Sequence, residues 1–414
     1  MTGRPGNSPV GAIGPLVAPD LADLLARPAR EQQAGGYWYT VHEIAQQPET
    51  WVGTAQSLVA DRDAVHARLT RAGLHGTRTA RAVVLTGSGS SVYVGEASAR
   101  WLQRRWQSPV TAVASGDILT HLDAWIPDGH PGLVVSFARS GDSPESAATL
   151  DAVLAARPGW EHLIITCNGA GRLATEHSAH PSVHTIVLDS RTCDRSLVMT
   201  SSFTNMVVAA HGLAALDDAD GYQRRVAAVA DVGRSVFAQS ATLASLAQRP
   251  FTSAIFLGSG GRFGAAREAA LKMLEMTAGG IHTMAETFLG LRHGPMSAVH
   301  DDTLVVCFLS AEPVTRAYEL DLIQELNQKS LGTHLIVGES LPDGLVRPAD
   351  AAIECKGLGV AGDDLAAVTD VVVGQLLALF RCLALGLRPD APSNNNVINR
   401  VVTEFTIHRR PASS

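Results

Sequence analysis

The stretch VVLTGSGSS (residues 83–91) and its near copy AIFLGSGGR (residues 254–262) each join a run of apolar residues to a Gly-Ser-Gly loop. The second copy begins 171 positions after the first, and two other segments recur at nearly the same offset. LVVSF (133–137) returns as LVVCF (304–308), and HLII (162–165) returns as HLIV (334–337). Three strand-like segments repeated in the same order predict two copies of one folding unit.

The apolar runs are continuous rather than alternating, which is typical of parallel strands covered by helices on both faces. Helical patterns such as ESAATLDAVLAAR (145–157) and AAREAALKMLEM (265–276) lie between the runs, as parallel crossovers require. We therefore expect an α/β protein with two tandem units, each a parallel sheet flanked by helices in a three-layer αβα arrangement. The expected segments are a mostly irregular N-terminal extension with a helix start near Thr40 (1–49), the first unit (50–215), the second unit (225–385) and a tail over the site (386–414).

The composition argues against several classes of function. The formal net charge is −7 at pH 7 and no block of like charge occurs, so a nucleic-acid partner is not expected. The five cysteines are scattered without a Cys-x-x-Cys pair, which is typical of a reduced, cytoplasmic protein. No signal-peptide core is present near the N-terminus. The longest apolar stretch (366–387) contains Asp370, Gln375 and Arg381, so it is predicted to be a buried helix rather than a membrane span.

A polar loop after the apolar run 133–136 predicts an anion site. FARSGDSPES (137–146) contains glycine and serines but no lysine, and it leads into a helix with Pro144 in its first turn. Backbone N–H groups at that helix start, with the hydroxyls of Ser140 and Ser143, suit one phosphate group. The missing lysine favours a phosphate monoester over a nucleotide triphosphate. The alternative is that Ser143 only caps the helix.

The Gly-Ser-Gly loops do not have the glycine spacing of a dinucleotide site. After Gly87 and Gly89, the position of the third glycine is occupied by Val92. In the second copy that position is Phe263. No nicotinamide, flavin or other cofactor is therefore expected.

Charged side chains distinguish the second unit, in which FLSAEPV (308–314) replaces the serine loop. Glu268, Lys272 and Glu275 have the spacing that places them on one helix face. For Glu268 and Lys272, a solvated surface pair is an equally good interpretation. His293 lies in the loop sequence RHGP, and a carboxylate with a histidine is chemically sufficient for proton transfer through an enediol or enolamine. The histidines of HSAHPSVH (177–184) are interpreted as a polar loop, and no metal site is expected.

Five segments together resemble the sugar isomerase (SIS) family over residues 80–310 and in the tail. They are GSGSS (87–91), ARSGDS (138–143), REAALKMLEMTAG (267–279), FLGLRHGP (288–295) and NRVVTEFTI (399–407). The first four are similar to the isomerase half of glutamine–fructose-6-phosphate transaminase. The serine loop, FLGLRHGP and NRVVTEFTI together are more similar to the tagatose-6-phosphate ketose/aldose isomerase branch, also described as amino-sugar-6-phosphate deaminase/isomerases. The resemblance implies a hexose 6-phosphate ligand.

The resemblance also implies roles for single residues. A glutamate at Glu275 moves the proton between C1 and C2 of the sugar, and a histidine at His293 assists ring opening. In relatives the HGP loop crosses a subunit interface, so we expect a homodimer or a dimer of dimers in which His293 serves the neighbouring subunit's site. MTSSFT (199–204) resembles a further sugar-contact segment. The residues expected to bind substrate are Ser90, Ser91, Arg139, Ser140, Ser143, Ser201, Glu268, Lys272 and Arg400.

Two departures from the transaminase narrow the expected reaction. The first cysteine is Cys167, so no N-terminal cysteine nucleophile is expected, and Arg400 is the nearest cationic candidate in the tail, where the transaminase uses a lysine to form a Schiff base. A guanidinium stays protonated and cannot form that imine. We expect a cofactor-free isomerase that deaminates a 2-amino-hexose 6-phosphate of the galactosamine-6-phosphate type to a ketose such as tagatose 6-phosphate. Simple aldose–ketose isomerisation and a non-catalytic sugar-phosphate-binding regulator are the alternatives.

Overall fold

A computed structural model of the chain describes residues 18–76, 81–393, 397–402 and 405–408. At its centre lie two parallel sheets of five strands each. The strands of the first sheet are β1 (Ala82–Gly87), β2 (Val110–Ala114), β3 (Gly132–Ala138), β4 (Glu161–Thr166) and β5 (Val183–Val187). The strands of the second sheet are β6 (Ser253–Leu257), β7 (His282–Glu286), β8 (Thr303–Phe308), β9 (Thr333–Gly338) and β10 (Ala351–Glu354).

The two sheets have the same topology. The strand order is β2-β1-β3-β4-β5 in one and β7-β6-β8-β9-β10 in the other. The repeated sequence segments fall on corresponding strands, so that β1, β3 and β4 match β6, β8 and β9. All residues of β3 and of β8 are buried, as continuous apolar runs predict. These observations confirm the predicted α/β class and the duplicated parallel sheet.

Helices surround both sheets. Those up to β5 are α1 (Leu21–Ala26), α2 (Ala29–Gly35), α3 (Trp38–Ala45), α4 (Gln47–Ala60), α5 (Arg62–Arg71), α6 (Ser90–Trp106), α7 (Ser115–Thr120), α8 (Leu122–Trp125), α9 (Pro144–Ala156) and α10 (Arg172–Thr175). Those that follow are α11 (Ser201–Leu213), α12 (Ala219–Ala238), α13 (Ser240–Ala247), α14 (Arg262–Met276), α15 (Phe288–Leu291), α16 (Pro313–Gln328), α17 (Leu358–Ala361) and α18 (Asp363–Ala384). Short 3₁₀ turns cover Ser190–Thr192, Leu216–Asp218 and Pro295–Ala298.

Helices α6 and α14 pack against each other in opposite directions and join the two halves of the chain. Gly264 near the start of α14 lies so close to α6 that a Cβ atom there would be 2.5 Å from the backbone nitrogen of Ala97. At the other end of α14, Lys272 reaches Ser90 at the start of α6. The close helix contact therefore places the beginning of α6, at the carboxyl edge of the first sheet, beside the end of α14.

This contact predicts that Gly264→Ala destabilises the protein by about 1–3 kcal/mol, because a new methyl group overpacks the α6–α14 interface. Gly53→Ala is the matched control, since Gly53 lies in α4 with nothing within 4 Å of its added Cβ. That control is expected to gain about 0.5–1 kcal/mol, the ordinary advantage of alanine over glycine inside a helix. Urea unfolding of both variants measures the two changes, and an equal stabilisation by both would contradict the packing.

Helix α18 is the long apolar segment singled out in the sequence. Its length and composition would allow it to cross a membrane, but its apolar window is completely buried inside the protein. Helix α18 also packs closely against α14, since a Cβ atom at Gly374 would lie 2.4 Å from Cβ of Ala269 on α14. The prediction of a buried helix is confirmed.

The prediction of a mostly irregular N-terminal extension is wrong for its described part. Helices α1, α2 and α3 occupy most of residues 21–45, with α3 beginning at Trp38, close to the predicted helix start. Leu24, Val41 and Ile44 are buried in the main hydrophobic core, so tertiary packing stabilises these short helices. The predicted boundary at residue 50 falls inside α4. Residues 1–17 lie outside the described part of the chain.

Candidate active site

The two serine loops of the first unit lie side by side at the carboxyl edge of its sheet, where parallel α/β sheets bind ligands. One follows β1 and leads into α6, and the other follows β3, the neighbour of β1, and leads into α9. The hydroxyl oxygens of Ser88 and Ser146 are 3.4 Å apart and join the two loops. Ser90 and Ser91 are buried at the start of α6. The structure therefore places the loop that the sequence predicted to hold an anion beside the Gly-Ser-Gly loop that precedes α6.

The loop after β3 is held in a defined conformation. Gly141 has a φ of 72°, which a residue with a side chain rarely adopts, and the backbone carbonyl of Ser140 accepts a 2.8 Å bond from Asn168. Ser143 sits at the cap position of α9, but its side chain makes no capping bond and donates instead to Glu145 at 2.6 Å. The interpretation of Ser143 as a simple helix cap is therefore not supported.

Lys272 lies between two carboxylates on the buried face of α14. Its Nζ atom is 2.6 Å from Oε2 of Glu275, 3.1 Å from Oγ of Ser90 and 3.2 Å from Oε1 of Glu268, the last without hydrogen-bond alignment. Glu268 and Lys272 have no solvent exposure, whereas the side chain of Glu275 is 23% exposed. The alternative of a solvated surface pair at Glu268 and Lys272 is wrong.

Burial controls the protonation of this group. It raises the pKa of Glu268 to about 7, with Lys272 acting in the opposite direction. For Lys272, burial alone would lower the pKa, but the two carboxylates outweigh it and the pKa is raised. The ammonium is therefore retained, and it holds one oxygen of the more accessible Glu275.

Arg139 and Arg400 approach each other at the edge of the same region. The guanidinium of Arg139 is buried and donates to the backbone oxygens of Leu197, at 2.9 Å, and of Arg400. Arg400 donates to the backbone oxygen of Asp194 at 2.7 Å and lies 3.3 Å from Sγ of Cys193. Burial lowers the pKa of Arg139 and the positive charge of Arg400 acts in the same direction, whereas the negative charge of Asp194 opposes them.

Ser201 is located differently from the expectation. It is fully buried, and its hydroxyl donates to Asp194 at 2.5 Å and accepts from Gln46 at 3.0 Å. Asp194 also accepts the backbone N–H groups of Thr200, Ser201 and Ser202, and so caps the start of α11. The hydroxyl of Ser201 is therefore used inside the protein.

His293 is exposed, in the turn after α15. Its backbone nitrogen donates to Gly290 at 2.9 Å, but among the residues that the structure describes its imidazole forms no hydrogen bond or ion pair. Glu275, by contrast, is paired with Lys272. The single chain does not join the imidazole to the Glu275 cluster.

The second unit cannot offer the same anion site. Arg262 stands at the repeat position of Ser91, and its guanidinium is buried against Asp370 at 2.6 Å and Asp363 at 3.1 Å. An anion would have to displace these carboxylates. The duplicated fold therefore has one serine-lined site, complemented by the charged face of α14.

One histidine group in the described part of the chain is close enough to be considered as a metal site. His66, His75 and Asp217 lie near α5 and the turn before α12. The two imidazole rings are stacked, with centroids 4.0 Å apart and an interplanar angle of 15°. Ring lone pairs in nearly parallel planes do not converge on one ion, so this geometry suits a hydrogen-bonded pair with Asp217 better than metal coordination.

Sequence reasoning missed Asp194, Glu43 and Arg262. Asp194 precedes the hydroxyl-rich stretch TSS at 200–202. Such residues are typical of a helix start, so a capping role for this region could have been predicted. Glu43 follows the helix start predicted near Thr40, but the sequence gives no signal for its contact with Arg195, which is 152 positions away. The pairing of Arg262 with Asp370 has no local signal, because the two residues are 108 positions apart.

No protein-family model matches the chain, but whole-length relatives do. A candidate D-galactosamine-6-phosphate deaminase AgaS of Streptomyces coelicolor is 38% identical over 370 residues, which cover 89% of this chain and 95% of that protein. The D-galactosamine-6-phosphate deaminase AgaS of Escherichia coli is 34% identical over 384 residues, with coverages of 91% and 96%.

Solved structures of proteins with related names are also similar to this chain. The tagatose-6-phosphate ketose/aldose isomerase from Escherichia coli superposes with a TM-score of 0.78 at 32% identity, covering 85% of this chain and 95% of that one. The C-terminal domain of glucosamine-fructose-6-phosphate aminotransferase from Francisella tularensis has a TM-score of 0.70 at 17% identity, with coverages of 86% and 98%, and shares the fold.

Proposed function

The chain belongs to the AgaS branch of the sugar isomerase (SIS) family, and we propose that it converts galactosamine 6-phosphate to tagatose 6-phosphate and ammonia. It is an enzyme of the amino-sugar-phosphate isomerase/deaminase type. The observation that carries the proposal is the buried Glu268–Lys272–Glu275 group at the mouth of the serine-lined site. A regulator that only binds a sugar phosphate would have no use for a partly exposed carboxylate held beside a buried ammonium.

The phosphate is held by the loop after β3 and the starts of α6 and α9. Ser140, Ser143 and Ser91 provide hydroxyl groups, and the helix starts provide backbone N–H groups. Arg139 and Arg400 contact the sugar. Ser201 does not contact the substrate. It bonds to Asp194 and so helps to fix the segment whose carbonyl groups bind these two arginines.

Proton transfer then needs only side chains. His293 moves the ring proton that opens the hemiacetal, and Glu275 takes the C2 proton to leave a cis-enolamine. Return of a proton to C1 gives a C2 ketimine, and water adds to that carbon and releases ammonia and the ketose. Lys272 keeps the Glu275 carboxylate in position, while Ser90 and Glu268 hold Lys272. No cofactor or metal takes part in this scheme.

The second candidate is isomerisation of an ordinary aldose 6-phosphate by the same residues through an enediol. Incubating the purified chain with galactosamine 6-phosphate, glucosamine 6-phosphate and tagatose 6-phosphate distinguishes the two. Stoichiometric ammonia and ketose from galactosamine 6-phosphate is the expected result. Interconversion of tagatose 6-phosphate with an aldose, without ammonia from either amino sugar, would contradict the deaminase proposal.

Ser143→Ala is expected to weaken binding of a hexose 6-phosphate by about 1.5 kcal/mol, roughly tenfold, because a charge-assisted hydrogen bond to the phosphate is lost. Calorimetric titration with tagatose 6-phosphate measures the change. Ser178→Ala is the control, since that exposed serine donates only to the backbone of Thr175. Equal affinities of the Ser143→Ala variant and wild type would remove this loop from the phosphate site.

A cytoplasmic homodimer, or a dimer of dimers, completes the proposal, with His293 serving the neighbouring subunit. The imidazole is exposed and has no partner among the residues that the structure describes, which supports this arrangement. Neither a nucleic acid nor a membrane is proposed as a partner.

Mixing equal amounts of Glu275→Gln and His293→Ala variants tests the shared site. After random exchange half of the dimers are mixed, and each mixed dimer has one intact site, so about one quarter of wild-type activity is expected. Subunit exchange is verified with two affinity tags. Activity that stays at the level of the unmixed variants after exchange would place Glu275 and His293 in the same subunit.

A further inference from the structure

Two buried carboxylates hold a short segment, Asp194–Ser202, through its backbone N–H groups. Asp194 accepts from the nitrogens of Thr200, Ser201 and Ser202 at 2.7, 3.1 and 2.9 Å. Glu43 accepts from the nitrogen of Arg195 at 2.5 Å and from that of Ser196 at 3.3 Å. It also accepts the hydroxyl of Ser196. The donors at both ends of the segment are therefore fixed by side chains of α3 and of the segment itself.

The carbonyl groups of the same segment bind the two arginines of the proposed site. Arg139 donates to the oxygens of Ser196 and Leu197 at 3.3 and 2.9 Å. Arg400 donates to the oxygen of Asp194 at 2.7 Å. Any rotation of peptide groups 194–197 would thus move both guanidinium groups.

Helix α3, which carries Glu43, is itself anchored to the same region. The backbone nitrogen and the hydroxyl of Thr40 each donate to Asp390 at 2.8 Å, and the backbone oxygen of Asp390 accepts from Leu197 at 3.1 Å. The N-terminal helices, the segment and the beginning of the tail form one hydrogen-bonded unit. Through this unit Glu43 is linked to the segment that binds Arg139 and Arg400.

Burying the carboxyl group of Glu43 costs free energy. It is 7% exposed, and burial together with the nearby Asp194 raises its pKa to about 7. A neutral side chain would avoid that cost, but it would offer fewer acceptors to the N–H and O–H groups of Arg195 and Ser196.

We infer that Glu43 is a positioning residue of the active site, which holds segment Asp194–Ser202 so that its carbonyl groups orient Arg139 and Arg400 toward the substrate. The inference rests on the proposed function in assigning both arginines to substrate contact. A residue that only stabilised the fold would lower the fraction of active protein and the melting temperature, but it would leave the affinity of the remaining sites unchanged.

The test is a double-mutant cycle on binding. Titration with tagatose 6-phosphate measures Kd for wild type, Glu43→Gln, Arg400→Ala and the double variant. We expect Kd to rise about tenfold in each single variant, equivalent to about 1.4 kcal/mol, and clearly less than 100-fold in the double variant, because Glu43 acts in part through Arg400 and any remaining effect passes through Arg139. Glu49→Gln, which removes an exposed carboxylate on the adjoining α4, should leave Kd unchanged.

Kd values that multiply in the double variant, to about 100-fold, would overturn the inference, as would an unchanged Kd in Glu43→Gln. If Glu43→Gln does not accumulate as folded protein, Asp390→Asn replaces it in the cycle, because it loosens α3 without altering Glu43. Binding does not depend on turnover. A wild-type protein that binds the ligand but releases no ammonia from galactosamine 6-phosphate would therefore contradict the proposed reaction and leave the cycle decisive for Glu43.

Discussion

Glu275→Gln is expected to lower kcat for ammonia release by about 10² to 10⁴, the usual loss when a general base is removed. The amide keeps the shape of the side chain and one hydrogen-bond acceptor for Lys272, which lies 2.6 Å from Oε2 in the wild type. It cannot take the C2 proton. Substrate affinity should change little, because phosphate binding depends on the serine loops of the other unit.

Steady-state kinetics of the Glu275→Gln variant, with Kd from titration, separates chemistry from binding. Glu354→Gln is a suitable control, since Glu354 is also a carboxylate next to a lysine, 3.1 Å from Lys356, but lies at the end of β10. Its kcat should equal that of the wild type. A Glu275→Gln variant within a few-fold of wild-type kcat would remove Glu275 from the proton transfer.

Lys272→Met is expected to cost about 3–5 kcal/mol of folding free energy at pH 8.5, because it leaves the buried carboxylate of Glu268 without its cation. Lys329→Met is the matched control: Lys329 also pairs with a glutamate, at 2.6 Å, but its side chain is 51% exposed. That loss should be at most about 1 kcal/mol. Urea unfolding of the two variants measures the contrast.

The loss in Lys272→Met should also depend on pH in a defined direction. The pKa of Glu268 is already about 7 in the folded wild type, above the ordinary value of 4.5, and it rises further without Lys272. A carboxyl group whose pKa is higher in the folded chain than in the unfolded chain destabilises the fold increasingly as the pH rises from the lower pKa to the higher one. The defect should therefore shrink as the pH is lowered from 8.5 toward 6. A loss independent of pH would indicate lost packing instead of an unpaired charge.

The fold could be predicted from the sequence because each apolar run on β1, β3 and β4 recurs on β6, β8 and β9 at nearly one offset. The common face of Glu268, Lys272 and Glu275 followed from helical spacing alone. Their burial did not, since it depends on how closely α6 approaches α14. That approach is set by Gly264 against Ala97, a contact that sequence spacing does not encode.

The remaining parts of the site depend on long-range contacts. Arg139 and Arg400 are 261 positions apart, and Glu43 binds a segment more than 150 positions away. Helices α1 and α2 were not predicted, because short helices are stabilised by packing rather than by their own propensity. Ser201 was expected to bind the substrate, but its buried hydroxyl donates to Asp194, a contact within the protein that the sequence pattern does not indicate.

Following the C2 hydrogen of galactosamine 6-phosphate tests the central claim most directly. The wild-type enzyme is supplied with substrate deuterated at C2 in water, and with unlabelled substrate in deuterated water, and the product is analysed by NMR. We expect a ketose 6-phosphate with no hydrogen at C2, one equivalent of ammonia, and at C1 a new hydrogen that comes partly from solvent through Glu275. Ammonia release that leaves the original hydrogen bound to C2 would mean direct displacement at C2 and would contradict the enolamine route.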